Sequence, residues 1–209
     1  MRYILFLLVA MLQMPLLAQG GNNEADALLD KVVAGIKAAA PVQMDYTYKV
    51  YDDENGLVQA DKGVIFIDND RYALLMEFMK VWCDGSTQWS YMREINEIYV
   101  TEASSDEAQN LSPLYVMEYY REGYEASMAD KGDRVAVKLQ AADSEADVER
   151  VELFITKESD RLVAMSIYMP SQGRIEVELD GYTPHCGVGS DAFVCPEADF
   201  PDTEIIDMR

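Results

Sequence analysis

Met44-Asp45-Tyr46-Thr47-Tyr48-Lys49-Val50, followed by the turn Asp52-Asp53-Glu54-Asn55-Gly56, sets the architecture. Apolar or aromatic side chains at 44, 46, 48 and 50 alternate with polar ones at 45, 47 and 49, the period-2 pattern of a half-buried strand. A helix would need its apolar positions three and four apart. Asn55-Gly56 is the favoured two-residue reversal of a hairpin, so the next strand returns antiparallel. The same acidic stretch has part of the spacing of a calcium loop, but Tyr51 stands at the first ligand position, and a hairpin turn explains it better.

Upstream the period is 3.6. Asn23 to Ala40 reads as a helix, with Asn23 placed to cap it and Asp26 in its first turn. Leu28, Val32 and Ile36 recur every fourth residue, Leu29 and Val33 widen the stripe, and Pro41 ends it. Downstream the alternation continues in Gly63–Ile67, Tyr72–Met76, Lys80–Cys83, Gln88–Met92, Ile98–Val100, Val135–Leu139, Val151–Thr156, Leu162–Met169 and Ile175–Leu179, with a last segment near Phe193. Turn signals roughly 8–12 residues apart are those of an antiparallel sheet or barrel, and no strand–helix rhythm suggests a doubly wound fold. One internal helix interrupts the strands: Ser112 as cap, Pro113 in the first turn, then Leu114, Met117, Tyr120 or Arg121, and Tyr124 at helical spacing. Two architectures fit, a packed sandwich or a strongly curved sheet whose inner face the helices cover. Periodicity does not separate a packed interior from a hollow one.

The chain has 209 residues, 49% hydrophobic and 26% charged, within the range of one globular domain. Its 17 Lys and Arg against 38 Asp and Glu leave a net charge of −21, which opposes binding to nucleic acid and to anionic lipid surfaces. Arg2 precedes an apolar run from Tyr3 to Leu12, and Ala18 stands before Gln19; residues 1–18 therefore read as a secretory signal peptide cleaved near Ala18, with 19–209 as one exported domain. Gln13 and Pro15 interrupt the run, which argues against a membrane span. Export permits disulfides, so Cys186 and Cys195 either bridge a short loop or, with Cys83, remain free buried thiols.

Catalytic patterns are missing: there is no phosphate-binding loop ending in Lys, no His-Glu-x-x-His, no Cys-x-x-Cys and no Gly-x-Ser-x-Gly. His185, the single histidine, sits beside Pro184 in a turn-like stretch, which leaves no multi-His metal site and a poor base for a triad. No metal or cofactor is expected, and the protein is not expected to be an enzyme.

Gln43–Val50, Gly63–Ile67 and Cys83-Asp84-Gly85-Ser86-Thr87-Gln88-Trp89-Ser90-Tyr91, taken in order, resemble the periplasmic outer-membrane lipoprotein carrier proteins of the LolA type. In that family an Asp-Gly turn precedes a strand carrying Trp-x-Tyr, then a polar turn and a short hydrophobic strand, the role filled here by Glu94–Val100. Leu111-Ser112-Pro113-Leu114 resembles the start of the family's lid helix, and Phe193 to Arg209 its ending.

The resemblance implies a mainly β fold: an incomplete, strongly curved antiparallel barrel closed by the N-terminal helix and the internal lid helix. It implies a periplasmic carrier that holds the acyl chains of lipoproteins in an apolar cavity, acting as a monomer between an inner-membrane release complex and an outer-membrane acceptor. Tyr46, Tyr48, Trp89 and Tyr91 from the sheet, and Leu114 and Met117 from the lid helix, are then expected to face the cavity. One departure stands out. The family's Arg after the second strand falls on Asn69, within Asp68-Asn69-Asp70-Arg71, so its role in release does not carry over. The alternative is a lipid- or protein-sensing binding module on the same scaffold.

Overall fold

The computed structural model describes residues 19–105, 114, 117, 123–170 and 173–209. Helix α1 (Gln19–Ala38) leads into β1 (Val42–Tyr51), β2 (Leu57–Asp68), β3 (Arg71–Met76), β4 (Met79–Cys83), β5 (Thr87–Met92) and β6 (Glu97–Glu102). After the break come β7 (Tyr124–Lys131), β8 (Arg134–Ala141), β9 (Arg150–Thr156), β10 (Leu162–Met169) and β11 (Gly173–Thr183). Two short 3-10 turns, Ser190–Phe193 and Glu197–Asp199, precede β12 (Glu204–Asp207).

The twelve strands among the described residues form one sheet, in the order β12-β6-β5-β4-β3-β2-β1-β11-β10-β9-β8-β7. Two meanders, β1 to β6 and β7 to β11, meet where β1 pairs with β11. Among the described residues the sheet does not close, and β12 and β7 are its edges. Register breaks fall at Asp45/Tyr46 against β11, at Val50/Tyr51 against β2 and at Leu162/Ala164 against β9. Extra residues of this kind bend a strand and increase its twist, and here they sit in the middle of the sheet. The result is the incomplete, strongly curved and mainly antiparallel barrel that the family resemblance implies, and not the packed sandwich that periodicity alone left open.

On the inner face α1 buries Ala25, Leu29, Val32, Val33 and Ile36 in one core with Val42 and Met44 of β1, Ile65 and Ile67 of β2, and Val137, Leu139, Val151 and Leu153 from the other meander. The stripe predicted for the helix is thus the one it buries. Loop backbone satisfies the carbonyls after the helix: His185 N–H donates to Ala39 O at 2.9 Å and Cys186 N–H to Pro41 O at 2.9 Å.

The outer face carries a second core, with Ala73, Trp82, Ile98 and Val100 covered by Phe193 and Cys195 from the tail. Phe200 from the same tail packs edge-on to Trp82, with ring centroids 5.9 Å apart.

Several expectations are corrected. Helix α1 starts at Gln19, so Asn23 lies inside it rather than capping it. The segment at Phe193 is a 3-10 turn, because it lies across the outer face instead of joining the ladder. Tyr124 opens β7 rather than ending a helix. The β1–β2 connection is a five-residue loop, closed by Asp52 Oδ1 accepting from Gly56 N–H at 2.6 Å. Strand β12 runs parallel to β6, since the tail crosses the sheet before pairing. Of the two cysteine arrangements left open, the structure has all three free, with Cys83 and Cys195 buried and Cys186 half-buried. The internal helix expected from Ser112 lies, apart from Leu114 and Met117, outside the described residues, as does the signal-peptide segment 1–18.

Candidate functional site

The inner core is incomplete. Between the sheet and the end of α1 lies a cavity of about 500 Å³. Inward positions two apart supply its wall: Met44, Tyr46, Tyr48 and Val50 from β1, Ile65 and Ile67 from β2, and Leu74 and Met76 from β3. Across the β1–β11 seam come Ile175, Val177 and Leu179, and beyond them Met165 and Ile167 of β10. Ile36, Phe78, Met79 and Met117 also contribute to the lining. A largely apolar hollow of this size falls in the range of small-molecule sites.

Polar groups in this lining are few and lie close together. Gln59 Nε2 donates to the Tyr48 hydroxyl at 2.8 Å. The Tyr46 hydroxyl is buried and, among the described residues, has no hydrogen-bond partner. Its ring lies over Gly63, where an added β-carbon would fall 2.3 Å from Tyr46 Cζ. Burial, then the neighbouring Tyr48 and Asp61, push the Tyr46 phenol well above its ordinary pKa. Tyr48 is raised for the same first reason and by Asp61, with Gln59 opposing. Both phenols are therefore neutral hydrogen-bond donors at physiological pH. At the rim, Tyr48 tilts against Phe78 with centroids 5.7 Å apart, and Phe78 is 38% exposed.

The structure brings together four of the six residues singled out in the sequence. Tyr46, Tyr48 and Met117 line the cavity, and Leu114 is buried in the core that surrounds it. Trp89 and Tyr91 are not there. In β5 it is Gln88, Ser90 and Met92 that pair with the inward Cys83, Val81 and Met79, so Trp89 and Tyr91 point to the outer face. They belong to the second core, where Tyr91 meets Phe200. Gln88, 2% exposed, takes the inward place and accepts a hydrogen bond from Tyr72. The residues that sequence reasoning missed are Gln59, Phe78 and the β10–β11 wall, although the alternation of Ile175, Val177 and Leu179 carried the signal.

Asn69 sits in the tight β2–β3 turn with a φ of 56°. Arg71 pairs with Asp68, and its guanidinium lies 5.1 Å from the centroid of the Phe193 ring on the outer face. No basic side chain from this turn therefore reaches the cavity lining. A second hollow, of about 570 Å³, lies between Asp52, Asn55, Tyr168 and Arg174. It is open and polar, and Arg174 is already engaged by Glu176 at 2.8 Å and by the Tyr51 ring. Among the described residues no group of three or more His, Cys, Asp or Glu side chains could hold a metal ion.

The family profile described as "Outer membrane lipoprotein carrier protein LolA" matches residues 18–172. No curated protein matches the chain in sequence. Among solved structures, an uncharacterized conserved protein from Thermus thermophilus superposes with a TM-score of 0.54 at 10% identity, covering 88% of this chain and 99% of that one. MucB superposes with a TM-score of 0.51 at 11% identity over 88% of this chain and 66% of that one. A LolA superfamily protein from Nitrosomonas europaea gives 0.45 at 8% identity, over 83% and 98%. At these identities the first two likenesses speak for the fold alone.

Proposed function

The chain belongs to the outer membrane lipoprotein carrier protein LolA family, and from that premise we propose that it carries the acyl chains of lipoproteins in the cavity between its sheet and helix. The observation that supports this most directly is the cavity: about 500 Å³, walled by aliphatic, Met and Tyr side chains from both meanders. An apolar hollow of that kind has little use for a water-soluble ligand. Removing a methylene group from water is worth about 0.8 kcal/mol, so an acyl chain of roughly sixteen carbons represents about 12 kcal/mol. Such a chain does not leave a membrane for water unaided, and a protein wall is the substitute.

In this reading residues 1–18 are a signal peptide, and the carrier works in the periplasm, where lipoproteins must cross water. Its partners are then the acylated cargo, an inner-membrane complex that hands it over and an outer-membrane acceptor. No catalytic role is proposed: the phenols and the amide of the site offer no activated nucleophile. Tyr46, Tyr48 and Met117 contact the acyl chain, with Leu114 supporting the wall from the surrounding core.

The test is displacement of a fluorescent fatty-acyl probe from the purified mature chain by a di- or triacylated lipopeptide and by the same peptide without its acyl chains. Saturable binding, reversed only by the acylated competitor, is expected. A protein that fails to bind the probe has a role other than carriage, and the sensing module on the same scaffold becomes the better reading.

A further inference from the structure

One polar corner interrupts the apolar wall, and it is built rather than accidental. Tyr46 is 6% exposed, lines the cavity and keeps a hydroxyl with no partner among the described residues. Its neighbour Tyr48 accepts from Gln59, which leaves the Tyr48 proton free to donate. The pairing Tyr46↔Gly63 and Tyr48↔Asp61 puts both rings on the strand face shared with Gln59 and Asp61. A buried hydroxyl without a partner is costly, and one in a ring at the wall of a ligand cavity is satisfied when the ring shifts to meet an acceptor that the ligand brings.

Resting on the carrier reading, we propose that Tyr46, with Tyr48 beside it, recognises the carbonyl oxygen of an acyl ester or amide, so that the site distinguishes an esterified or amidated chain from a bare alkyl chain and from a free fatty acid. Two features of the corner decide the chemistry. The phenols are neutral, so they offer donors to an uncharged oxygen. Asp61 faces the same corner, and among the described residues no Lys or Arg lines the cavity, so a carboxylate there meets a like charge with no counter-charge. A carbonyl carries the acceptor without the charge.

The experiment compares three ligands with the same chain length, each displacing the same fluorescent probe: 1-palmitoylglycerol (ester), 1-O-hexadecylglycerol (ether, no carbonyl) and palmitate. They are measured against the wild type, Tyr46→Phe and Tyr48→Phe. The wild type is expected to prefer the ester to the ether by roughly threefold to tenfold, the worth of one or two hydrogen bonds, and to bind palmitate more weakly than the ester. Tyr46→Phe is expected to lose the ester preference, whatever change it brings to the affinities of ester and ether together, with Tyr48→Phe showing a smaller loss. Equal affinities of ester and ether in the wild type, or an unchanged preference in Tyr46→Phe, overturn the carbonyl assignment and leave the carrier reading standing. Failure of all three ligands and of the probe removes both.

Discussion

The rings of Tyr91 and Phe200 lie with their centroids 4.6 Å apart on the face of the sheet opposite the cavity. The contact ties the C-terminal tail to β5 and makes the Trp-x-Tyr strand a structural element of the outer core. Replacing Phe200 with Ala removes packing from Tyr91 and Trp82 and a ring 5.7 Å from Lys80 Nζ. A loss of about 2 kcal/mol is expected for this half-buried ring. Urea unfolding should show it, while probe binding well below the transition stays as in the wild type. Lost binding in a folded Phe200→Ala protein would contradict the separation of the two faces.

The unpartnered Tyr46 hydroxyl makes the opposite kind of forecast for stability. In the ligand-free protein Tyr46→Phe removes a buried polar atom that nothing among the described residues satisfies. It should leave stability unchanged or raise it, by up to about 1–3 kcal/mol, the cost of such a group. Thermal unfolding of the apo protein decides, and a marked fall would mean that the hydroxyl has a partner.

Gly63 is required by that same ring. A β-carbon there would sit 2.3 Å from Tyr46 Cζ, and the ring is enclosed by core. Gly63→Ala is expected to destabilise by about 1–3 kcal/mol, as overpacking does. The cost should shrink in a Tyr46→Leu background, where the obstacle is gone. An equal cost in both backgrounds would trace the glycine to backbone needs instead.

Filling the hollow should separate capacity from stability. Met165→Trp adds bulk to the cavity wall, and about 500 Å³ is available to receive it. The expected protein is folded, at least as stable as the wild type, and at least tenfold weaker for a sixteen-carbon probe. Undiminished binding would place the acyl chain elsewhere.

Asp84 links stability to acid. Burial alone would raise its pKa, but the backbone N–H groups of Thr87 and Ser86, each at 2.8 Å, and the Ser86 hydroxyl outweigh that and hold the carboxyl below its ordinary value. A depressed folded pKa contributes stability that is fully present above the ordinary value near 4 and is lost as pH falls through the folded one. Asp84→Asn should lower the melting temperature at pH 7 and flatten its decline below about pH 4. Parallel pH curves for the two proteins would exclude this turn as a contributor.

The sequence made one face of β1 legible because alternation is a local property. Met44, Tyr46, Tyr48 and Val50 had to share a side, and the stripe on α1 had to meet them. Alternation says that two faces exist without saying which one a later strand presents inward. In β5 both faces hold something bulky or buried, Gln88 on one and Trp89 on the other, so the parity of Trp89 and Tyr91 was not readable. The hollow itself was out of reach for a different reason. It depends on curvature, and the curvature depends on register breaks such as Asp45/Tyr46 against β11, a pairing between opposite ends of the chain. Strand β7 was hidden because its inward positions, Tyr124, Ala126 and Met128, follow a stretch of helical spacing and alternate only weakly.

The seam between β1 and β11 also bears on how the protein comes into being. Each meander is a chain of hairpins that can form from neighbouring residues, whereas Gln43 must find Thr183 across most of the chain. Loop-closure entropy makes such long-range pairing the slow event in β proteins. The cavity takes its wall from both sides of the seam, so it has no existence in either half alone. The rate at which a freshly diluted chain acquires ligand capacity should therefore follow the seam rather than the earlier gain of strand structure, and a bound acyl chain, by touching both halves, should act as a brake on their separation.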